Sequence, residues 1–136
     1  MVISAKYKDS ITNSDISMFL SNVGSSLENF RYFNSRKIDV LNNHLHTLLF
    51  YDDAHPVGYG HLDKDNENIW LGICVIEDYK RKGIGKMIMS DLLNYAEKIK
   101  LTVDKTNIAA VEMYMKYGFS QVKQDKAEII LMELNF

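Results

Sequence analysis

The run Ile69-Trp70-Leu71-Gly72-Ile73-Cys74-Val75-Ile76 constrains the fold of this chain more than any other segment. It carries no charge and no period-two alternation, so neither face of a strand built from it can meet water. Such a strand belongs at the centre of a sheet covered on both faces. The segment that leaves it, Tyr79-Lys80-Arg81-Lys82-Gly83-Ile84-Gly85-Lys86, opens an apolar stripe at Ile84, Met87, Ile88, Leu92, Tyr95 and Ile99, which predicts a helix from about Gly83 to Lys98. A buried strand running straight into an amphipathic helix is the mark of an α/β domain. Gly72 inside the run suggests a bulge or a close backbone approach.

The flanking sequence supplies the other elements. Residues 2 to 8 suit a first strand, and Thr12 to Ser14 offer caps for a helix with Ile16, Phe19, Leu20, Val23 and Leu27 on one face. A second short helix is predicted over Lys37 to Asn43. Thr47 to Tyr51 and Val57 to Leu62 read as a hairpin turned by Asp52 to Pro56, a composition suited to turns. After the long helix come a strand at Leu101-Thr102-Val103, a helix from Asn107 to Tyr117 closed by Gly118, and strands over 119 to 124 and 128 to 135. With 136 residues and no linker or repeat, residues 1 to 136 are expected to form one domain with a mixed sheet.

Charge narrows the function. Sixteen basic and eighteen acidic residues give a net charge of -2, so no global positive field directs the chain to nucleic acid or an anionic membrane, and neither is expected as a partner. Cys74 is the single cysteine, which leaves no internal disulfide and suits a reducing, cytoplasmic compartment. The first residues place charges where an export signal needs an apolar stretch. His44, His46, His55 and His61 lack metal-ligand spacing, so no metal is expected.

Against this net charge, the segment Tyr79 to Lys86 collects Lys80, Arg81, Lys82 and Lys86 around two glycines at a helix N-terminus. Helix-terminal amides and the dipole favour phosphate there, and glycine lets the backbone approach it closely. The Lys-Ser/Thr of a P-loop and the third glycine of a dinucleotide fingerprint are both absent. A second string, Asn107-Ile108-Ala109-Ala110-Val111-Glu112-Met113-Tyr114-Met115-Lys116-Tyr117-Gly118-Phe119, sets Asn107, Ala110 or Val111, and Tyr114 on one helical stripe.

Together these strings resemble the two cofactor motifs of the GNAT superfamily of N-acetyltransferases, in family order and separation. Lys80 stands where the family carries Gln or Arg. The resemblance covers about residues 57 to 120. It implies a GNAT fold, a central mixed and mostly antiparallel sheet of six to seven strands with about four helices, and acetyl-CoA as cosubstrate. It further implies that strands 69 to 76 and 101 to 104 splay apart around the pantetheine arm, with the main chain of Ile73, Cys74 and Val75 bonding it. Arg81, Lys82, Gly83, Ile84, Gly85 and Lys86 would hold the pyrophosphate, and Asn107 the cofactor's middle.

Acetyl transfer needs a neutral amine, a donor for the developing oxyanion and a proton for the departing thiolate. By the resemblance, a backbone amide near Cys74 is the donor and Tyr114 the general acid. The position at which relatives carry a basic carboxylate is Ile69 here, which leaves Glu67, His61, Asp63 or a water chain as base. Arg31, Tyr32 and Arg36 lie in the early helical region that borders the acceptor pocket in the family, and would suit an anionic small-molecule amine such as an amino sugar. A cofactor-binding module without chemistry and a transferase for protein lysines or N-termini are the rival readings. The chain is expected as a monomer or homodimer.

Overall fold

The computed structural model describes residues 1–23, 44–126 and 128–135. Seven strands form one sheet: β1 (Ile3–Tyr7), β2 (His44–Asp52), β3 (His55–Asp65), β4 (Asn68–Val75), β5 (Lys98–Asp104), β6 (Ser120–Lys126) and β7 (Ile129–Asn135). Their order is β1-β2-β3-β4-β5-β7-β6, and all neighbours are antiparallel except β4 and β5. Three α-helices lie among the described residues: α1 (Asn13–Asn22), α2 (Ile84–Leu92) and α3 (Ile108–Lys116). The mixed, mostly antiparallel sheet agrees with expectation. The helix predicted over Lys37 to Asn43 falls outside the described residues, as do Arg31, Tyr32 and Arg36.

The chain turns into α1 through a capping box. The Thr12 hydroxyl accepts from the Asp15 amide at 3.1 Å, and the Asp15 carboxylate accepts from the Thr12 amide at 2.9 Å. Ile16 and Phe19 then enter the core, and Phe19 meets Tyr59 of β3 at 6.0 Å between ring centroids. The opposite face of β3 carries Gly58 and Gly60, against which α2 packs. A Cβ on Gly60 would stand 2.4 Å from Ile88 Cγ2, and one on Gly58 2.7 Å from Ile84 Cγ2. The two glycines therefore set how closely α2 approaches the sheet. Because side chains alternate along a strand, α1 and α2 cover opposite faces of β3.

The structure departs from the sequence expectations at several points. Helix α2 ends at Leu92 rather than near residue 98, because Tyr95 N turns back to Leu92 O at 3.1 Å and Lys98 and Ile99 pair with Asn135 and Leu134 of β7. Ile99 is wholly buried as a strand residue, and Tyr95 is half exposed. The β2–β3 turn shrinks to Asp53–Ala54, with Asp53 at φ 55, and Pro56 sits inside β3 beside a register shift at Phe50/Tyr51. Gly72 makes no bulge: it pairs in regular register with His61.

Candidate active site

Strands β4 and β5 touch as a parallel pair at one position, Trp70 opposite Lys100, although both run on for several residues. Beyond that bridge they part, and the gap opens a cleft of about 1690 Å³ bordered by β4, β5, α3 and the loop into α2. The direction of the β4 main chain follows from one bond. Ile76 N donates to Val57 O at 3.0 Å, so by alternation Cys74 and Gly72 also turn their amides and carbonyls toward β3. Leu71, Ile73 and Val75 turn theirs into the gap. The expectation for Cys74 is thereby corrected: its main chain is committed to β3, and its thiol is buried, with burial pushing the pKa up to about 12. Ile73 and Val75 line the cleft.

The loop at the far end of the gap is held by side chains from below. Tyr79 donates its hydroxyl to Asp52 Oδ2 at 2.6 Å, and Asp52 Oδ1 accepts from Val2 N at 3.0 Å, so the loop is tied to the β2–β3 hairpin and to β1. Lys80 pairs with Glu77 at 3.1 Å. Arg81 and Gly83 adopt left-handed backbone at φ 66 and φ 84. Arginine rarely accepts that conformation, and such strain collects where the backbone must present its amides. The first helical bond of α2 runs from Met87 N to Gly83 O at 3.1 Å, so the amides of Ile84, Gly85 and Lys86 precede any intrahelical acceptor. A Cβ on Gly83 would have nothing within 4 Å.

The residues named from the sequence divide here. Arg81, Gly83, Gly85 and Lys86 line the cleft. Lys82 does not: its ammonium lies 5.1 Å over the Tyr79 ring. The Ile84 side chain is wholly buried in the core, which leaves only its main chain to face a ligand.

Helix α3 brings the second string to the same cleft. Asn107 is its N-cap, with Oδ1 accepting from Ala110 N at 3.4 Å, and Asn107, Ala110 and Tyr114 all line the gap. Tyr114 is buried and packs on Phe119 at 5.8 Å. Burial raises its phenol pKa, and the Cys74 thiolate form adds a smaller push in the same direction.

The candidate bases separate clearly. Glu67 is exposed at the β3–β4 turn and does not border the cleft. His61 and Asp63 do border it, at the end where β4 and β5 join. His61 is 2% exposed, and its Nδ1 lies 2.8 Å from the Tyr59 hydroxyl in a hydrogen bond. Tyr59 was invisible as a partner in the sequence, although its i, i+2 spacing from His61 puts both side chains on one strand face. Among the described residues, no group of three His, Cys, Asp or Glu is placed to hold a metal ion, and no helix is long and apolar enough to cross a membrane.

A splayed parallel pair with a strained, amide-presenting loop at one end and a tyrosine helix beside it is the architecture of an acyl-CoA transferase. The chain belongs to the GNAT acetyltransferase family, whose profile matches residues 11–119. Over a 66-residue stretch it is 32% identical to the spermine/spermidine N(1)-acetyltransferase of Bacillus subtilis. That match takes in 42% of this chain and 43% of the relative, less than half of its length. In three dimensions it resembles the PaiA N-acetyltransferase of Thermoplasma acidophilum in complex with coenzyme A, with TM-score 0.76 at 15% identity over 100% of both chains. It also resembles the ribosomal-protein-S18-alanine N-acetyltransferase of Escherichia coli, with TM-score 0.70 at 18% identity over 98% of this chain and 93% of the other.

Proposed function

We propose that this chain transfers an acetyl group from acetyl-CoA directly to a primary amine, both substrates being bound at once. The observation that carries the reading is the single Trp70–Lys100 bridge, beyond which β4 presents the main chain of Ile73 and Val75 to an open gap that ends at the Arg81–Lys86 loop. An extended amide-bearing arm can pair with that free edge as a strand would, and a pyrophosphate fits amides with no helical acceptor beside Arg81 and Lys86. The space above Gly83 fits the same group. Acetyl-CoA supplies an activated acyl carbon; the protein's work is to orient it and to move protons.

An amide of Ile73 or Val75, aimed into the gap, serves as the donor to negative charge that develops on the transferred carbonyl oxygen. Tyr114 serves the departing sulfur. A phenol raised above ~10 gives its proton to a thiolate near ~8.5 only at a cost, so Tyr114 stabilises the sulfur chiefly as a hydrogen-bond donor. His61, with Glu67 outside the cleft, is the base that prepares the amine.

For the acceptor we propose a small-molecule primary amine. Asp63 and Asp65, with Lys64 between them, line the end of the cleft away from the basic loop and leave it net negative. This supports a cationic amine, the class acetylated by the Bacillus subtilis relative, over the anionic amino sugar suggested by Arg31 and Arg36. The test follows coenzyme A thiol release with acetyl-CoA and a panel of spermidine, glucosamine 6-phosphate and a lysine peptide. Turnover with spermidine at least tenfold above the other two is expected. A preference for the sugar phosphate or the peptide would overturn the acceptor assignment, and no turnover with any amine would favour a binding module.

A further inference from the structure

The loop between β4 and α2 carries two left-handed residues within three positions, Arg81 at φ 66 and Gly83 at φ 84. Glycine accepts that backbone freely, whereas arginine holds it only where the surroundings over-determine the chain. The last regular element before Arg81 is the short helical turn Glu77–Tyr79, closed by Tyr79 N on Ile76 O at 2.9 Å and Lys80 N on Glu77 O at 3.3 Å. One side chain of this turn reaches out of the loop: the Tyr79 hydroxyl donates to Asp52 Oδ2 at 2.6 Å. Asp52 ends β2, where it pairs with Ile3 of β1 and His55 of β3, and its Oδ1 accepts from Val2 N at 3.0 Å. Asp53 N returns to Val2 O at 2.8 Å. Both oxygens of one carboxylate are thus engaged, one by the strand β1 begins and one by the loop. These bonds, that of Tyr79 foremost, hold the Asp52 carboxyl below the usual carboxylate range, and the same contact raises the Tyr79 phenol.

Tyr79 borders the cleft, and its ring lies under the Lys82 ammonium at 5.1 Å; Asp52 does not border the cleft. A negative charge beside an anion-binding loop opposes a polyanionic ligand by Coulomb repulsion, so any favourable effect of Asp52 on such a ligand must pass through the geometry it holds. We propose that Asp52 and Tyr79 are positioning residues for the cofactor. Their bond fixes the turn Glu77–Tyr79, and through it sets Arg81 and Gly83 in the left-handed backbone that presents the loop amides before a ligand arrives. This rests on the reading of the cleft as an acetyl-CoA site. A loop set in advance gives up less conformational freedom on binding, which is how a bond outside the cleft adds to affinity inside it.

The experiment compares the whole native chain with Tyr79→Phe, Asp52→Ala and the double variant, by calorimetric titration of acetyl-CoA and by 15N backbone relaxation without cofactor. Tyr79→Phe keeps the ring under Lys82 and removes only the hydroxyl. Each single variant should weaken acetyl-CoA binding by about fivefold or more, and the double variant should lose no more than the worse single one, because the two residues act through one bond. Charge alone predicts the opposite sign for Asp52→Ala, since removing an anion near the loop would tighten binding. In the relaxation data, the amides of residues 81 to 85 should be ordered in the native chain, with an order parameter of about 0.85, and looser in all three variants. Thr102 and Val103, on the opposite wall of the cleft, should stay as in the native chain. A general loss of structure would loosen both walls alike. Unchanged or tighter binding, additive losses, a loop as ordered as the native one, or loosening that extends equally to 102 and 103 would each overturn the proposal. Absence of acetyl-CoA binding by the native chain would count against the proposed function and leave the relaxation data to decide whether Asp52 and Tyr79 set the loop.

Discussion

Tyr114 reaches the cleft from the second turn of α3, and its surroundings decide how it acts. Burial and the nearby Cys74 hold its proton more firmly than an exposed phenol would. In the proposed reaction, a donor of this kind would stabilise charge on sulfur without having to ionise. Tyr114→Phe should lower kcat by roughly 100-fold while KM for acetyl-CoA moves little, since the ring still packs on Phe119. Steady-state kinetics in both substrates checks this, and an unchanged kcat would remove Tyr114 from the chemistry. The string around Tyr114 was legible in the sequence because it is local and helical. The bond between Asp52 and Tyr79 was not, because it joins a hairpin end to a loop 27 residues later, which no pattern of types announces.

Among the elements, α2 carries the most consequence. It supplies the amides of the loop at its first turn and rests on β3 through two glycines with no room for a methyl group. Gly60→Ala should lift α2 off the sheet and destabilise the fold by about 1–3 kcal/mol. Gly85→Ala, whose Cβ would meet Met113 Sδ at an ordinary 3.4 Å, should cost far less. Chemical denaturation of the two variants side by side makes the comparison; equal losses would mean that α2 is not seated on Gly58 and Gly60. The helical stripe from Ile84 to Leu92 was readable from its period, but its end was not. Ile99 continues the helical spacing and is nevertheless a strand residue, since pairing with Leu134 of a strand thirty-odd residues later outweighs local periodicity.

Across the whole molecule, one departure from sheet pairing organises the site. A regular parallel ladder between β4 and β5 would satisfy both strands and leave no cleft. The single bridge leaves the edge of β4 open between a face covered by α2 and the helix that brings Tyr114. Motif order in the sequence points to this arrangement, and the loop, Asn107 and Tyr114, far apart along the chain, line one cleft. Strand direction is not legible in residue types, which is why Cys74 stands in the sequence beside Ile73 and Val75 although its main chain faces β3. Nor does distance along a hairpin reveal which side of the turn meets the cleft, which Glu67 does not border.

The most direct test of the account is calorimetric titration of acetyl-CoA into the native protein and into Gly83→Glu, where a carboxylate would occupy the space above the loop amides. The account predicts binding at micromolar concentrations by the native chain and a loss of at least tenfold in a folded Gly83→Glu variant. Equal affinity in the two would contradict the placement of the pyrophosphate, and no binding by the native chain would contradict the account at its root.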